Sequence, residues 1–406
     1  MTTNLKRTGT MLLGALALAA CSDGGGAKTP VGGGTDPLYA LMVHVYDQDD
    51  RTVYVVLSDS LDVTSISLQG AREFPGVANL AAIGGKLLIS DGNEPKITEF
   101  EISDAHEWTA GRSVSFAQFP LQDNANFYYQ FVVNEHKALL PFDGTKRIVW
   151  DPGEMKITGT LEDTTLVGKE AGLTLEAGGN RNAVHYDTSI VQAFFYHDDD
   201  WTTYGTQSHL IVYDQDTQEE KSLIDVPCPG LSLATRDEQG NTYFGTWDVS
   251  VATYKGTAPA TCIARVGADF KLAETIDPKT MTGGRFINNF RYVGNGKAFA
   301  NVLHHEALGV TSPSMLTDAQ LADIWMGGPQ WKPWLFDMAT KTGKPVDGID
   351  VEIGSGAQMA VVDGRTFLFV PYDDWGRTKT YELDADGKAT LRFDTVGDIF
   401  KWVRVR

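Results

Sequence analysis

Residues 360–373 read AVVDGRTFLFVPYD. Three apolar residues lead into Asp363-Gly364, and a run rich in aromatic and β-branched residues then extends to Asp373. Asp-Gly between two such runs signals a two-residue hairpin, because both central positions of that turn need positive φ. The same unit recurs along the chain. Strand-like runs ending on Asp or another polar residue occur at Thr52–Asp59, Lys86–Asp91, Lys137–Asp143, Val191–Asp198, Thr242–Asp248, Lys297–His305 and Arg365–Asp373. A further strand and a tight turn precede them, as in Leu80–Ile83 before Gly84-Gly85 and Phe290–Val293 before Gly294-Asn295-Gly296. From Asp91 the markers Asp143, Asp198, Asp248, His305 and Asp373 follow at intervals of 52, 55, 50, 57 and 68 residues. Each interval suits one four-stranded antiparallel blade, so the expected fold is all-β, a seven-bladed β-propeller.

Two irregularities refine this expectation. The step from Asp59 to Asp91 is too short for a complete blade, while Ile399–Val405 offers a surplus strand at the other end of the chain. A strand missing early and one spare late is what ring closure by the C-terminal strand produces. The longest interval holds residues 314–327, where Thr317 and Gln320 form a capping-box pair ahead of Leu321, Ile324 and Trp325; this predicts a short inserted helix.

Of the 406 residues, 42% are hydrophobic and 21% charged, a balance that excludes a disordered chain and a polytopic membrane protein. With 34 Lys and Arg against 53 Asp and Glu, the formal charge of -19 disfavours nucleic acid and anionic lipid as partners.

Lys6 and Arg7 precede an apolar run from Met11 to Ala20, too short to span a bilayer and patterned like a secretory leader. Leu18-Ala19-Ala20-Cys21 resembles the bacterial lipobox, which implies cleavage before Cys21 and lipidation of that residue. Ser22, where an Asp would favour retention at the inner membrane, implies an outer-membrane address facing the periplasm or the surface. The expected organisation is a leader over 1–20, a lipidated Cys and Gly-rich tether over 21–37, and a monomeric propeller over 38–406. Cys228 and Cys262 are the remaining cysteines, and an oxidising envelope favours their pairing as a disulfide.

Propellers usually bind at the mouth of the channel, where the inner strands begin. The residues expected there are Asn79, Tyr129, Arg181, Asn182, Arg285, Asn288, Asn289, Gln358 and Lys401, with Tyr128, Phe286 and Trp402 as aromatic walls. Arg181, Arg285 and Lys401 approaching one axis would focus positive potential for an anionic or catecholate-like ligand. The other constellations are weaker. His304 and His305 are adjacent on a strand and point to opposite faces, so they cannot join one metal site. Asp198-Asp199-Asp200 and Asp373-Asp374 carry the carboxylates that Ca²⁺ favours but lack EF-hand spacing, and Asp is also the standard turn residue. No G-x-S-x-G, P-loop, H-E-x-x-H or haem-attachment motif occurs in the required context. Together these argue for a binding protein over an enzyme and for no resident cofactor, with Ca²⁺ in the acidic turns as the lesser alternative to their reading as plain turns.

With its lipobox, acidic composition and strand texture, the chain resembles bacterial propeller lipoproteins of the DUF4374 type, some of them associated with the siderophore myxochelin. That resemblance implies an outer-membrane accessory protein that handles a ferric siderophore with a TonB-dependent receptor. Two other functions fit the sequence: a protein scaffold for envelope assembly, presenting an exposed patch, and a Ca²⁺-dependent propeller hydrolase or lactonase, with carboxylates converging in the channel.

Overall fold

The computed structural model describes residues 36–47, 50–76, 78–121, 131–143, 145–162, 164–176, 183–186, 188–200, 202–246, 261–312, 315–317, 320, 330–349, 358–373 and 375–406. They form seven antiparallel sheets arranged as the blades of a propeller. Blades 2, 3, 5, 6 and 7 each take four strands in chain order, with the inner strands at Leu80–Ile83, Phe131–Asn134, Leu231–Arg236, Ile287–Gly294 and Gln358–Val362. Blade 4 shares its inner position between Thr174–Glu176 and Ala183–His185, both paired with Ser189–His197.

Blade 1 is assembled from both ends of the chain. Its inner strand is Asp398–Arg404, the closing strand, which pairs antiparallel with the opening strand Tyr39–Asp47. Asp50–Ser58 and Arg72–Pro75 complete it. The expected closure by the C-terminal strand is therefore present, with one correction. Thr52–Asp59 is the third strand of its blade, not the second; the counterpart of the other markers is the opening strand, which ends at Asp47.

Local chemistry explains the elements. Asp363 and Gly364 adopt φ of 49° and 74°, the double left-handed turn that the Asp-Gly pair predicts. The strand-end aspartates are turn builders. The Asp91 Oδ1 atom accepts from the backbone N–H groups of Asn93 and Glu94 at 2.8 and 3.0 Å, and Asp198 does the same for Thr202 and Thr203 at 2.7 and 3.0 Å. Burial would push the Asp198 carboxyl up, but these donors outweigh it and hold it at about 2. Thr317 and Gln320 form the expected reciprocal cap, with N–H to side-chain oxygen distances of 3.0 and 3.3 Å. The body of the expected helix lies outside the described residues.

The core lies between blades. Leu41, Val43, Ile399 and Trp402 pack on Ala360, Phe367 and Phe369 of blade 7, while Met42, Phe400 and Val403 pack on Leu80, Leu87 and Ile89 of blade 2. The closing strand thus buries both faces. It carries a β-bulge: Met42 pairs with Lys401 and Val43 with Ile399, leaving Phe400 as the extra residue. The bulge puts Phe400 and Lys401 in succession on the side of blade 2. Cys228, before the inner strand of blade 5, is disulfide-bonded to Cys262, before the third strand of that blade, with Cα atoms 5.7 Å apart.

Two stability predictions follow from closure and cross-linking. Gly397 enters the closing strand at φ 84°, and an added Cβ would lie 2.5 Å from the His44 carbonyl oxygen. Gly397→Ala should cost about 2–4 kcal/mol in urea unfolding, whereas Gly168→Ala, at φ 70° in open space, should cost about 1 kcal/mol. Equal costs would contradict a tight strand entry. Replacing Cys228 and Cys262 with Ala removes a bond that spans 34 residues, which should lower stability by roughly 3–4 kcal/mol; an unchanged urea midpoint would mean that the bond constrains nothing.

Candidate functional site

All inner strands run in the same direction, so their first residues ring one mouth of the channel. The inner strands of blades 4 and 5, 5 and 6, 7 and 1, and 1 and 2 adjoin one another directly. Their heads are polar although buried: Asn79 precedes the inner strand of blade 2, Asn288 and Asn289 open that of blade 6, Gln358 opens that of blade 7 and Asp398 opens the closing strand. Gln358 and Asp398 are fully buried, and among the described residues both side-chain polar atoms of each have no hydrogen-bond partner. Buried polar groups are nearly always paired, so two such residues at the heads of adjoining inner strands mark this sector.

The residues expected at the mouth have distinct environments. Asn288 accepts at Oδ1 from the backbone N–H of Asn289 at 2.8 Å, and Asn289 holds φ 55° within a bulge of its strand. A non-glycine residue in the left-handed region of a buried strand is strained backbone, of the kind often kept at ligand sites. Lys401 sits three residues into the closing strand. The bulge at Phe400 turns it toward blade 2, where its ammonium donates to Asn79 Oδ1 at 2.5 Å and to the Leu80 carbonyl at 2.9 Å. Arg285 lies before the inner strand of blade 6 and pairs with Glu306, with a second contact to the Thr282 carbonyl at 3.4 Å. Burial pushes the Glu306 carboxyl up, but a backbone donor and Arg285 leave it below its ordinary range. Phe286 and Trp402 belong to the inter-blade core. Tyr128, Tyr129, Arg181, Asn182 and Cys21 lie outside the described residues.

The structure adds residues that the sequence reading did not single out. Asp398 is the direct cross-strand partner of His44, so the two side chains share the face of blade 1 that meets blade 2. Arg51, on the third strand, bonds His44 Nδ1 and lies 5.3 Å from the centre of the Phe400 ring and 5.4 Å from that of Tyr46. Phe400 stacks on His44 with ring centres 3.9 Å apart. Burial raises the Asp398 carboxyl to about 8 against a smaller opposing pull from Arg51. Burial, followed by Arg51 and Lys401, pushes His44 well below its ordinary value. Strongly shifted groups clustered at a channel mouth are candidates for function. The signal available in sequence was a single acid heading a surplus strand whose other charged residues, Lys401 and Arg404, are cations.

His304 and His305 do not lie on a strand as the sequence reading had them: the strand ends at Leu303, the Trp334 Nε1–H donates to His304 Nε2 at 3.3 Å, and His305 begins a 3₁₀ turn over His305–Leu308. Among the described residues, no group of three or more His, Cys, Asp or Glu side chains is placed to hold a metal ion. One open cavity of about 280 Å³ lies away from the mouth residues described above, lined by Lys146, Glu162, Val167, Leu175 and Tyr196.

No family model matches the chain, and no curated protein matches it. Solved structures similar to it share the fold at low identity. A proposed 6-phosphogluconolactonase from Bacteroides fragilis is 11% identical with a TM-score of 0.50, covering 92% of this chain and 99% of that one. Apo AztD from Citrobacter koseri is 13% identical with a TM-score of 0.42, covering 91% and 98%. The likeness to the Bacteroides fragilis protein extends to the propeller architecture and no further.

The contacts of Lys401 and Arg285 predict unequal costs of removal. Lys401→Met removes two charge-assisted bonds of a buried ammonium, to Asn79 Oδ1 and to the Leu80 carbonyl, and should cost about 1–3 kcal/mol. Arg285→Met removes a half-exposed ion pair and should cost under about 1 kcal/mol. Urea unfolding of both variants checks the order, and a cheaper Lys401 substitution would contradict it.

Proposed function

We propose that the protein is an envelope-anchored propeller that binds a small ligand at the mouth of its channel. The observation that carries this reading is the buried, unpartnered pair Gln358 and Asp398 at the heads of adjoining inner strands. Each offers both a donor and an acceptor in its neutral form, and a ligand entering the mouth would satisfy groups that the fold leaves unmatched. Asn288 and the strained Asn289 extend the polar rim into blade 6.

The lipobox-like Leu18–Cys21 segment and the Gly-rich tether support attachment of this propeller to the outer membrane. In the finer reading, which rests on the resemblance to propeller lipoproteins of the DUF4374 type, the ligand is a ferric siderophore delivered to or received from a TonB-dependent receptor. Arg285 and Lys401, two of the cationic trio expected to meet such an anion, are engaged with Glu306 and Asn79.

Thermal unfolding against a ferric catecholate siderophore, haem, Ca²⁺ and EDTA tests the reading. A ligand specific for the folded state, present at 100 times its Kd, adds about 2.7 kcal/mol and raises the midpoint. The expected result is a rise with ferric catecholate that Gln358→Leu diminishes. A rise with Ca²⁺ that EDTA abolishes would favour the metal-dependent alternative instead, and no shift with any compound would overturn binding of this panel.

A further inference from the structure

We propose that the mouth end of the ring-closing seam is a proton-gated clasp, shut while Asp398 on the closing strand stays uncharged opposite His44 and opened as that proton is lost to solvent. This goes beyond the ligand reading and does not depend on what the mouth binds. The geometry supplies three reasons.

The position comes first. Asp398 and His44 form the terminal cross-strand pair of the seam that closes the ring, and both are fully buried. The next pair inward, Ile399 against Val43, is apolar, and the bulge residue Phe400 stacks over His44. A charge at the terminal pair therefore has a cooperative, dry seam on one side and the channel mouth on the other.

Partnering comes second. Neither Asp398 oxygen accepts a hydrogen bond from the described residues. Among the described residues, the charged or titratable groups around the pair are Arg51 from the third strand, Tyr46 from the opening strand and Lys401 from the closing strand. Arg51 is committed to His44 Nδ1 and Lys401 to Asn79 and Leu80, so no cation meets the carboxyl directly. Ionisation in place would leave a buried and unpaired carboxylate, and the relief is exposure to water.

Confinement comes third. At the far end of the seam, Leu38 N–H donates to the Arg406 carbonyl at 3.2 Å and Val405 N–H to the Leu38 carbonyl at 2.7 Å, and Arg406 is tied to Ile102 and Asp104 of blade 2. On either side of Asp398, Thr378 Oγ1 donates to the Gly397 carbonyl at 2.7 Å and accepts from the Ile399 N–H at 3.2 Å, and the Gly397 N–H donates to the Gly376 carbonyl at 2.7 Å. Opening is thus confined to a short stretch around Asp398 between fixed points, which is local unfolding and not loss of the ring.

The sign follows from linkage. The closed state holds Asp398 protonated up to about pH 8, whereas the opened state releases that proton above about pH 4. This alone makes opening more frequent by tenfold per pH unit between those limits. His44 acts oppositely below about pH 6.5, because the opened imidazole takes up a proton that the closed one refuses. The two slopes cancel below about pH 6.5, so net opening rises about thirtyfold from there to about pH 8 and then levels off.

Hydrogen exchange of the full-length protein, read by mass spectrometry from pH 5 to pH 9 and corrected for intrinsic rates, measures this. Peptides covering 41–46 and 398–402 are compared with the 189–197 strand of blade 4. The expected result is protection that is level below about pH 6.5, falls about thirtyfold to about pH 8 in the seam and holds steady in the reference. In Asp398→Asn that fall disappears, and in His44→Gln it is already under way at pH 5, where the series starts. Seam protection that tracks the reference at every pH, or an alkaline fall that survives Asp398→Asn, overturns the proposal; the wild-type series decides even if a variant does not fold.

Discussion

The pairing of Asp398–Arg404 with Tyr39–Asp47 is the constraint on which the rest of the molecule depends. Each blade buries its faces against its neighbours, so a ring with one open seam would expose two apolar sheet faces. Closing the ring with a strand from the far end of the chain removes this liability and pairs the edge of the opening strand. The packing shows the economy of this solution: one strand supplies Ile399 and Trp402 to the core shared with blade 7, and Phe400 and Val403 to the core shared with blade 2.

Closure also builds the mouth. The bulge at Phe400 is what directs Lys401 across to Asn79 and Leu80, linking blade 1 to blade 2 by charge-assisted bonds as well as by apolar contact. The same strand carries Asp398 to the channel entrance, beside a His44 and an Arg51 that arrive from the opposite end of the chain. Structure and candidate site therefore share residues. A seam that must hold the ring together and also present polar groups at the entrance cannot be optimised for either alone, and the unpartnered Asp398 carboxyl is where that conflict is visible.

Much of the architecture was legible because it is local. Asp-Gly and Gly-Asn-Gly turns between alternating runs announce hairpins, and their spacing announces blades, without reference to distant residues. The surplus strand at 399–405 likewise implied closure. What misled was the first marker. Thr52–Asp59 has the texture of a second strand, and its true place as a third depends on an inner partner nearly the whole chain away in sequence. The candidate site was legible in part. Gln358, Asn288 and Asn289 were named from their place at strand heads. The commitments of Arg285 to Glu306 and of Lys401 to Asn79 were not, since each depends on rotamers and on a bulge that no spacing reveals. His44, Arg51 and Asp398 were missed because none is unusual in its own stretch; only their meeting across the seam makes them so.

The account rests on the last strand acting as an integral part of the first blade, and the most direct measurement is denaturant unfolding of the chain ended at Gly397 beside the full-length chain. The account predicts that the shortened protein loses the cooperative transition and that a peptide of residues 398–406 added in trans restores part of it. A shortened chain that unfolds with the full-length midpoint and slope would contradict ring closure by this strand.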